Sequence, residues 1–133
     1  MKDPRVSARL RSVVLDWLDP ELLASFYAGL LSGRVATGDD EWCEVHFDDV
    51  GIKLAFQKVS TYQAPEWPDG VPQQVHLDLT VHDLDAASRR AQDLGAIVLN
   101  GPVEEPGCVF VVHADPAGHP FCLCADKRQE PVP

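Results

Sequence analysis

Apolar and polar residues alternate along the chain with two different periods. In SVVLDW (residues 12–17) and VHLDLTV (residues 75–81), every second residue is apolar, which is the period of a strand with one buried face. Each stretch is followed by apolar residues at helical spacing, in ELLASFYAGLL and in LDAASRRAQDL. We therefore predict a strand followed by a helix at both places.

The two strand–helix segments are copies of one pattern. Asp19 and Asp83 stand 64 positions apart (83 − 19), each where a helix N-cap is expected, and Pro20 suits the first helical position. Three strand-like stretches follow each helix: RVATG, EWCEVHF and GIKLAFQKV after the first, and AIVLN, CVFVVHA and HPFCLC after the second. The sequence thus predicts a βαβββ module that occurs twice.

These modules divide the chain into segments. We predict one domain over residues 10–125, with module one at 10–60 and module two at 74–125. The linker between them, residues 61–73, is rich in proline and turn residues. The ends, 1–9 and 126–133, are expected to be flexible.

Alternation in the strands separates an apolar face, which must pack under the helices, from a mixed face. The mixed face combines polar, charged and aromatic side chains: Ser12, Val14, Asp16, Trp42, Glu44, His46, Lys53, Ala55, Gln57, His76, Asp78, Cys122 and Cys124. This set is too polar for a sealed core and too aromatic for a plain solvent face. We predict that it lines a cleft, and an ordinary solvated sheet face is the alternative.

Composition and charge narrow the choice of partners. The 133 residues carry a formal net charge of −10, which argues against nucleic acid and anionic membranes as partners. A neutral or cationic small molecule is compatible with that charge. The chain contains no apolar run of about 18 residues, and it starts with the polar segment MKDPRVSARLR, so we expect a cytoplasmic protein.

The cysteines and three of the histidines have simple structural interpretations. The four cysteines form no CxxC pair, and Cys122 and Cys124 share one strand face as reduced thiols. His82 and His113 are predicted to lie at the surface. His119, in DPAGHPF, is predicted to serve the geometry of a tight turn.

Four stretches in order carry a family resemblance: VVLDWLDPELLASFYAGLLSG, LAFQKV, APEWPDGVPQQVHLDLTVHDLDAA and HADPAGHPFCLC. With these, the chain resembles the vicinal-oxygen-chelate superfamily of glyoxalases, bleomycin-resistance proteins and dioxygenases, and more narrowly the glyoxalase-like domain proteins of actinomycetes. The resemblance implies an α+β fold, in which two βαβββ modules form a partly open curved sheet around a central cleft. It also implies a homodimer. Superfamily members include metal-dependent isomerases, lyases, thiol transferases and dioxygenases, and also metal-free drug-binding proteins, so membership does not fix the activity.

The resemblance also implies where a metal would bind. Metal-using members hold the ion with ligands on the first and last strand of each module. Here those positions fall at Ser12, at Ala55 or Gln57, at His76 and at Cys122, and only His76 is a strong ligand.

Two catalytic alternatives centre on His76. A relocated ligand set of Glu44, His46, His76 and Cys122 would suit Zn or Ni. Without a metal, His76 could act as a general base, oriented by Asp78 or Gln57, with Cys122 as the nucleophile.

Our leading hypothesis is a small-molecule-binding protein that is metal-free, non-catalytic and without a cofactor. Trp42 would stack on the ligand and the polar residues would orient it. The predicted binding residues are Trp42, His46, Gln57, His76, Asp78 and Cys122. The alternative is an enzyme, namely a divalent-metal-dependent lyase, isomerase or dioxygenase centred on His76.

Overall fold

The computed structural model describes residues 9–126, without the side chain of Thr37. The ends predicted to be flexible lie outside this range, except for Arg9 and Asp126. The elements are β1 (Ser12–Trp17), α1 (Pro20–Leu31), β2 (Arg34–Gly38), β3 (Trp42–His46), β4 (Lys53–Lys58), β5 (Leu77–Thr80), α2 (Leu84–Leu94), β6 (Ile97–Glu105), β7 (Cys108–Ala114) and β8 (Pro120–Asp126). Neither of these helices has the length and apolar character needed to cross a membrane.

The chain divides into two compact units, one ending at Tyr62 and containing module one, the other beginning at Gln63 and containing module two. Each contains one helix and one four-stranded sheet, in the order β1-β4-β3-β2 in module one and β5-β8-β7-β6 in module two. The first and last strands of each module are parallel neighbours, and the other pairs are antiparallel. The α+β class and the repeated βαβββ module are confirmed. The cleft stays a prediction.

Both helices begin at the predicted caps. The Asp19 side chain accepts a hydrogen bond from the backbone N–H of Leu22 at 3.2 Å, and the Asp83 side chain accepts one from Ala86 at 3.0 Å. Each bond satisfies a backbone N–H that has no partner within its helix.

The end of α1 lies very close to β3. A Cβ atom built at Gly33 would lie 2.7 Å from a methyl group of Val45, 2.8 Å from the Phe47 ring and 2.9 Å from the carbonyl oxygen of His46. Only glycine therefore fits where the chain turns from the helix into β2.

The core of module one follows the predicted alternation. Cys43, Val45 and Phe56 are buried on the face that α1 covers, and the ring of Tyr27 stacks on that of Phe56 with centroids 5.6 Å apart. On the opposite face Trp42, Glu44 and His46 are only half-buried. The mixed face of module one is thus accessible.

His113 contradicts its predicted surface position, because it is fully buried in the core of module two. Its ring stacks on that of Phe121, with centroids 5.1 Å apart. Nε2 lies 2.8 Å from Ser88 Oγ on α2, and Nδ1 lies 3.2 Å from the carbonyl oxygen of Val111. His113 shares the strand parity of Val111, so it points toward the helix.

The tight turn before β8 is organised as predicted. One carboxylate oxygen of Asp115 accepts hydrogen bonds from the backbone N–H groups of Ala117 at 2.8 Å and His119 at 3.0 Å. Its other oxygen lies 2.8 Å from Nδ1 of His119. His119 therefore serves the geometry of the turn. In contrast, β6 runs beyond the predicted AIVLN through Gly101 and Pro102, with register shifts on both sides of Asn100.

The contacts of His113 define its protonation state. A carbonyl oxygen can only accept, so Nδ1 carries the hydrogen, and neutral Nε2 accepts from the hydroxyl of Ser88. Burial lowers the pKa of His113, against a smaller opposing effect of the hydrogen bond to Val111.

We predict that His113 makes the protein less stable in acid. The folded state keeps His113 neutral, whereas the unfolded chain takes up a proton as the pH falls below about 6.5, so the free energy of unfolding decreases below that pH. His113→Gln should flatten this dependence between about pH 7 and about pH 5, measured by urea unfolding. His82→Gln, at an exposed histidine, is the matched control. Identical slopes in wild type and His113→Gln would contradict the prediction.

Candidate functional site

The mixed face of module one is organised around the carboxylate of Glu44. Trp42 donates a hydrogen bond from Nε1 to Glu44 Oε2 at 3.0 Å, and His46 donates one from Nε2 to Glu44 Oε1 at 2.8 Å. These three side chains alternate along β3 and therefore share one face. On β4, the ammonium of Lys53 lies 3.8 Å from Glu44 Oε1.

The Glu44 contacts determine what this face offers a ligand. The hydrogen bonds from His46 and Trp42 lower the pKa of Glu44, so its charge persists into mildly acidic solution. Trp42 has its single donor engaged and can offer a ligand only the faces of its ring. Gln57 pairs with Trp42 across the strands and is exposed, so its amide is available beside the indole.

The mixed face of module two gathers three potential ligands. The parallel pairing of β5 with β8 places Asp78 directly beside Cys122. His76 immediately precedes β5, and its Nε2 lies 3.3 Å from Asp78 Oδ1. One donor atom from each of the three residues lies within 4.8 Å of the other two. His76 and Asp78 are exposed and Cys122 is half-buried, so solvent reaches this cluster.

Cys122 is held as a protonated thiol. Burial, reinforced by the negative charge of Asp78, raises the pKa of Cys122 to about 12. The same two causes, in the same order, raise the pKa of Cys124. A thiol protonated at neutral pH is a poor nucleophile, which weighs against the mechanism with His76 as base and Cys122 as nucleophile.

Strand register shows which residues of the two modules are equivalent. Val14 pairs with Ala55 in module one, as Asp78 pairs with Cys122 in module two. Ala55, rather than Gln57, is thus the counterpart of Cys122. Ala55 has no donor atom and is completely buried. Module one therefore has no metal-binding side chain at the position equivalent to Cys122.

The structure brings most of the predicted binding residues into contact within their own modules. Trp42 and His46 are joined through Glu44, and His76, Asp78 and Cys122 form one cluster. The sequence places Glu44 on the mixed face and among the possible metal ligands, but it does not predict that Glu44 is the shared acceptor of Trp42 and His46. Its strand parity with Trp42 and His46 was the available signal.

The comparisons with known proteins agree with this fold. The sequence profile of the glyoxalase-like domain matches residues 12–124. The two βαβββ modules define the class, and the chain belongs to the glyoxalase-like domain family. A search of curated proteins found no match.

Solved structures with low sequence identity share the fold. A glyoxalase/bleomycin resistance protein/dioxygenase family enzyme from Burkholderia phytofirmans PsJN has a TM-score of 0.72 at 15% identity, over 90% of this chain and 99% of that one. A glyoxalase-related enzyme from Fulvimarina pelagi has a TM-score of 0.68 at 18% identity, over 89% of this chain and 88% of that one. TnmS3, an antibiotic binding protein from Streptomyces sp. CB03234, has a TM-score of 0.65 at 20% identity, over 92% of this chain and 98% of that one.

We predict that Cys122 reacts slowly with iodoacetamide near neutral pH, and that Asp78→Asn accelerates the reaction. Removing the carboxylate charge lowers the pKa of Cys122 and increases the thiolate fraction, although burial remains. Mass spectrometry of the alkylated peptide over a pH series measures this rate. Asp93→Asn, at an exposed residue of α2, is the matched control. Equal rates in wild type and Asp78→Asn would contradict the role assigned to Asp78.

Proposed function

We propose that the protein binds a small organic molecule that is neutral or cationic, without a metal and without catalysing a reaction. The observation that carries the proposal is the arrangement around Glu44, which fixes an indole and an imidazole beside an ionised carboxylate on an accessible sheet face. A planar ligand can stack on Trp42 while its polar groups reach Glu44, His46 and Gln57.

The charges of the mixed faces support a neutral or cationic ligand. The carboxylate of Glu44 lies on the face of module one and that of Asp78 on the face of module two. The chain as a whole carries a net charge of −10, which attracts cations. His76, Asp78 and Cys122 would contribute polar contacts from module two.

Two observations support a binding protein over an enzyme. Cys122 is protonated at neutral pH, and module one lacks a ligand at the position of Ala55. A structural neighbour, TnmS3, is an antibiotic binding protein, which makes an organic ligand reasonable for this fold. We further propose a cytoplasmic homodimer: four free thiols are typical of a reducing compartment, and the dimer rests on the family resemblance.

Replacing Trp42 is expected to weaken binding selectively. A thermal-shift screen of cationic, neutral and anionic aromatic compounds should find stabilisation by cationic or neutral members. Trp42→Leu should then lower affinity for the best compound roughly fivefold, because stacking contributes about 1 kcal/mol. Glu44→Gln should lower the affinity for cationic compounds more than for neutral ones, since it removes the negative charge of the carboxylate. Isothermal titration calorimetry measures both effects.

The matched control is Trp67→Leu, which removes a half-buried tryptophan that lies outside the strands. It should leave the affinity unchanged. Stabilisation by anionic compounds alone, or equal losses in Trp42→Leu and Trp67→Leu, would contradict the proposal.

A second candidate, a divalent-metal-dependent enzyme, is favoured by one observation, the proximity of His76, Asp78 and Cys122. An imidazole, a carboxylate and a thiol fit the ligands that Zn²⁺ prefers, and three protein ligands leave one position open for a substrate. A bound Zn²⁺ would act as a Lewis acid. The chain itself would supply the three ligands, with Cys122 giving up its proton when the ion binds.

Metal titration separates the two candidates. Under the first, untagged protein contains no stoichiometric metal and binds Zn²⁺ weakly in calorimetry. Under the second, it contains about one ion per chain, and His76→Ala removes it while His82→Ala does not. Co²⁺ substitution adds a test of Cys122, because a thiolate ligand gives a near-ultraviolet charge-transfer band that Cys122→Ser should abolish. One tightly held ion with this band would replace the first proposal with the second.

A further inference from the structure

Module one contains a half-open cavity of about 690 Å³. It lies where the segment before β1 meets the start of β4, which are joined by a hydrogen bond of 3.1 Å from the backbone N–H of Lys53 to the carbonyl oxygen of Arg11. Its volume lies within the range of about 300–1,000 Å³ typical of small-molecule pockets. The lining residues are Arg9, Leu10, Arg11, Gly51, Ile52 and Lys53.

The charge of this cavity is opposite to that of the chain. Of the described residues that line it, three are cationic and none is acidic, although the chain carries a net charge of −10. They are three of the seven cationic residues in the described range, which are Arg9, Arg11, Arg34, Lys53, Lys58, Arg89 and Arg90. Three like charges around one cavity repel one another and gain from a bound anion.

The cations differ in their existing partners. Lys53 lies 3.8 Å from Glu44, whereas within residues 9–126 no carboxylate pairs with the guanidinium groups of Arg9 and Arg11. By contrast, Arg34 of the same module is paired with Asp48 at 2.6 Å. The planar donors of Arg9 and Arg11 are therefore available for a carboxylate or phosphate, which guanidinium groups bind in bidentate fashion.

We propose that this cavity binds the anionic group of a small organic molecule, a carboxylate or a phosphate. Arg9 and Arg11 hold the anion, Lys53 adds charge at the start of β4, and Leu10 and Ile52 contact an apolar part of the ligand. This anion site differs in chemistry from the Glu44 face proposed to bind a neutral or cationic molecule. Lys53 is the residue that both share.

The test uses phenyl phosphate, benzoate and neutral benzyl alcohol as probes, in calorimetric titrations at constant ionic strength. Phenyl phosphate and benzoate should bind, and benzyl alcohol should not. The double variant Arg9→Gln/Arg11→Gln should lower affinity for phenyl phosphate about tenfold or more, since it removes two charge-assisted contacts. Lys58→Gln removes an exposed cation elsewhere on β4 and is the matched control, expected to bind as wild type does.

Gly51→Phe tests the cavity without changing charge. A Cβ at Gly51 meets no atom within 4 Å, so the ring should enter open space at the cavity wall and block phenyl phosphate while the fold is kept. Trp42→Leu should leave phenyl phosphate binding intact, which separates this site from the proposed function. The proposal is overturned if the Arg9→Gln/Arg11→Gln variant binds phenyl phosphate with wild-type affinity. It is also overturned if Lys58→Gln lowers the affinity for phenyl phosphate as much as the double variant does.

Discussion

The parallel pairing of the first and last strand in each module is the constraint on which the rest of the structure depends. A parallel pair requires a connection that crosses over the sheet, and here that connection contains the helix and the two intervening strands of the module. One helix covers one face of four strands, so the alternate residues on the other face are left to meet a ligand or solvent. The same pairing places Asp78 against Cys122 and Val14 against Ala55.

The two modules use one backbone plan for different chemistry. In module one, an ionised glutamate holds an aromatic ring and an imidazole in place. In module two, an exposed histidine and aspartate at β5 lie beside the half-buried, protonated thiol of β8. A duplicated scaffold can diverge in this way because strand pairing depends on backbone hydrogen bonds, while the residues on the mixed face are not needed for the core.

The sequence predicted those parts of the fold that depend on local rules. The helix caps at Asp19 and Asp83 and the turn around Asp115 each involve residues within a few positions, and strand alternation has a fixed period. The burial of His113 was missed because it depends on a contact with Ser88, 25 positions away on α2. The extension of β6 past Gly101 and Pro102 was missed because those residues normally end a strand, whereas register shifts accommodate them here.

The candidate site was predictable as a set of residues but not as an arrangement. Parity alone assigned Trp42, His46, Gln57, His76, Asp78 and Cys122 to the mixed faces. It could not show that Glu44 binds two of them, or choose between Ala55 and Gln57, because both answers depend on side-chain rotamers and cross-strand register. Protonation of Cys122 depends on desolvation, which has no local sequence signature.

The close fit at Gly33 links a position outside the mixed face to the placement of His46 in module one. Position 33 abuts the backbone of His46 from behind the sheet, although it contributes nothing to the accessible side. A bulkier residue there would force the end of the helix or the end of β3 to shift, and a shift of β3 would move His46 relative to the carboxylate of Glu44. Selection for a new ligand could thus act at a hidden turn and leave every ligand-facing residue unchanged.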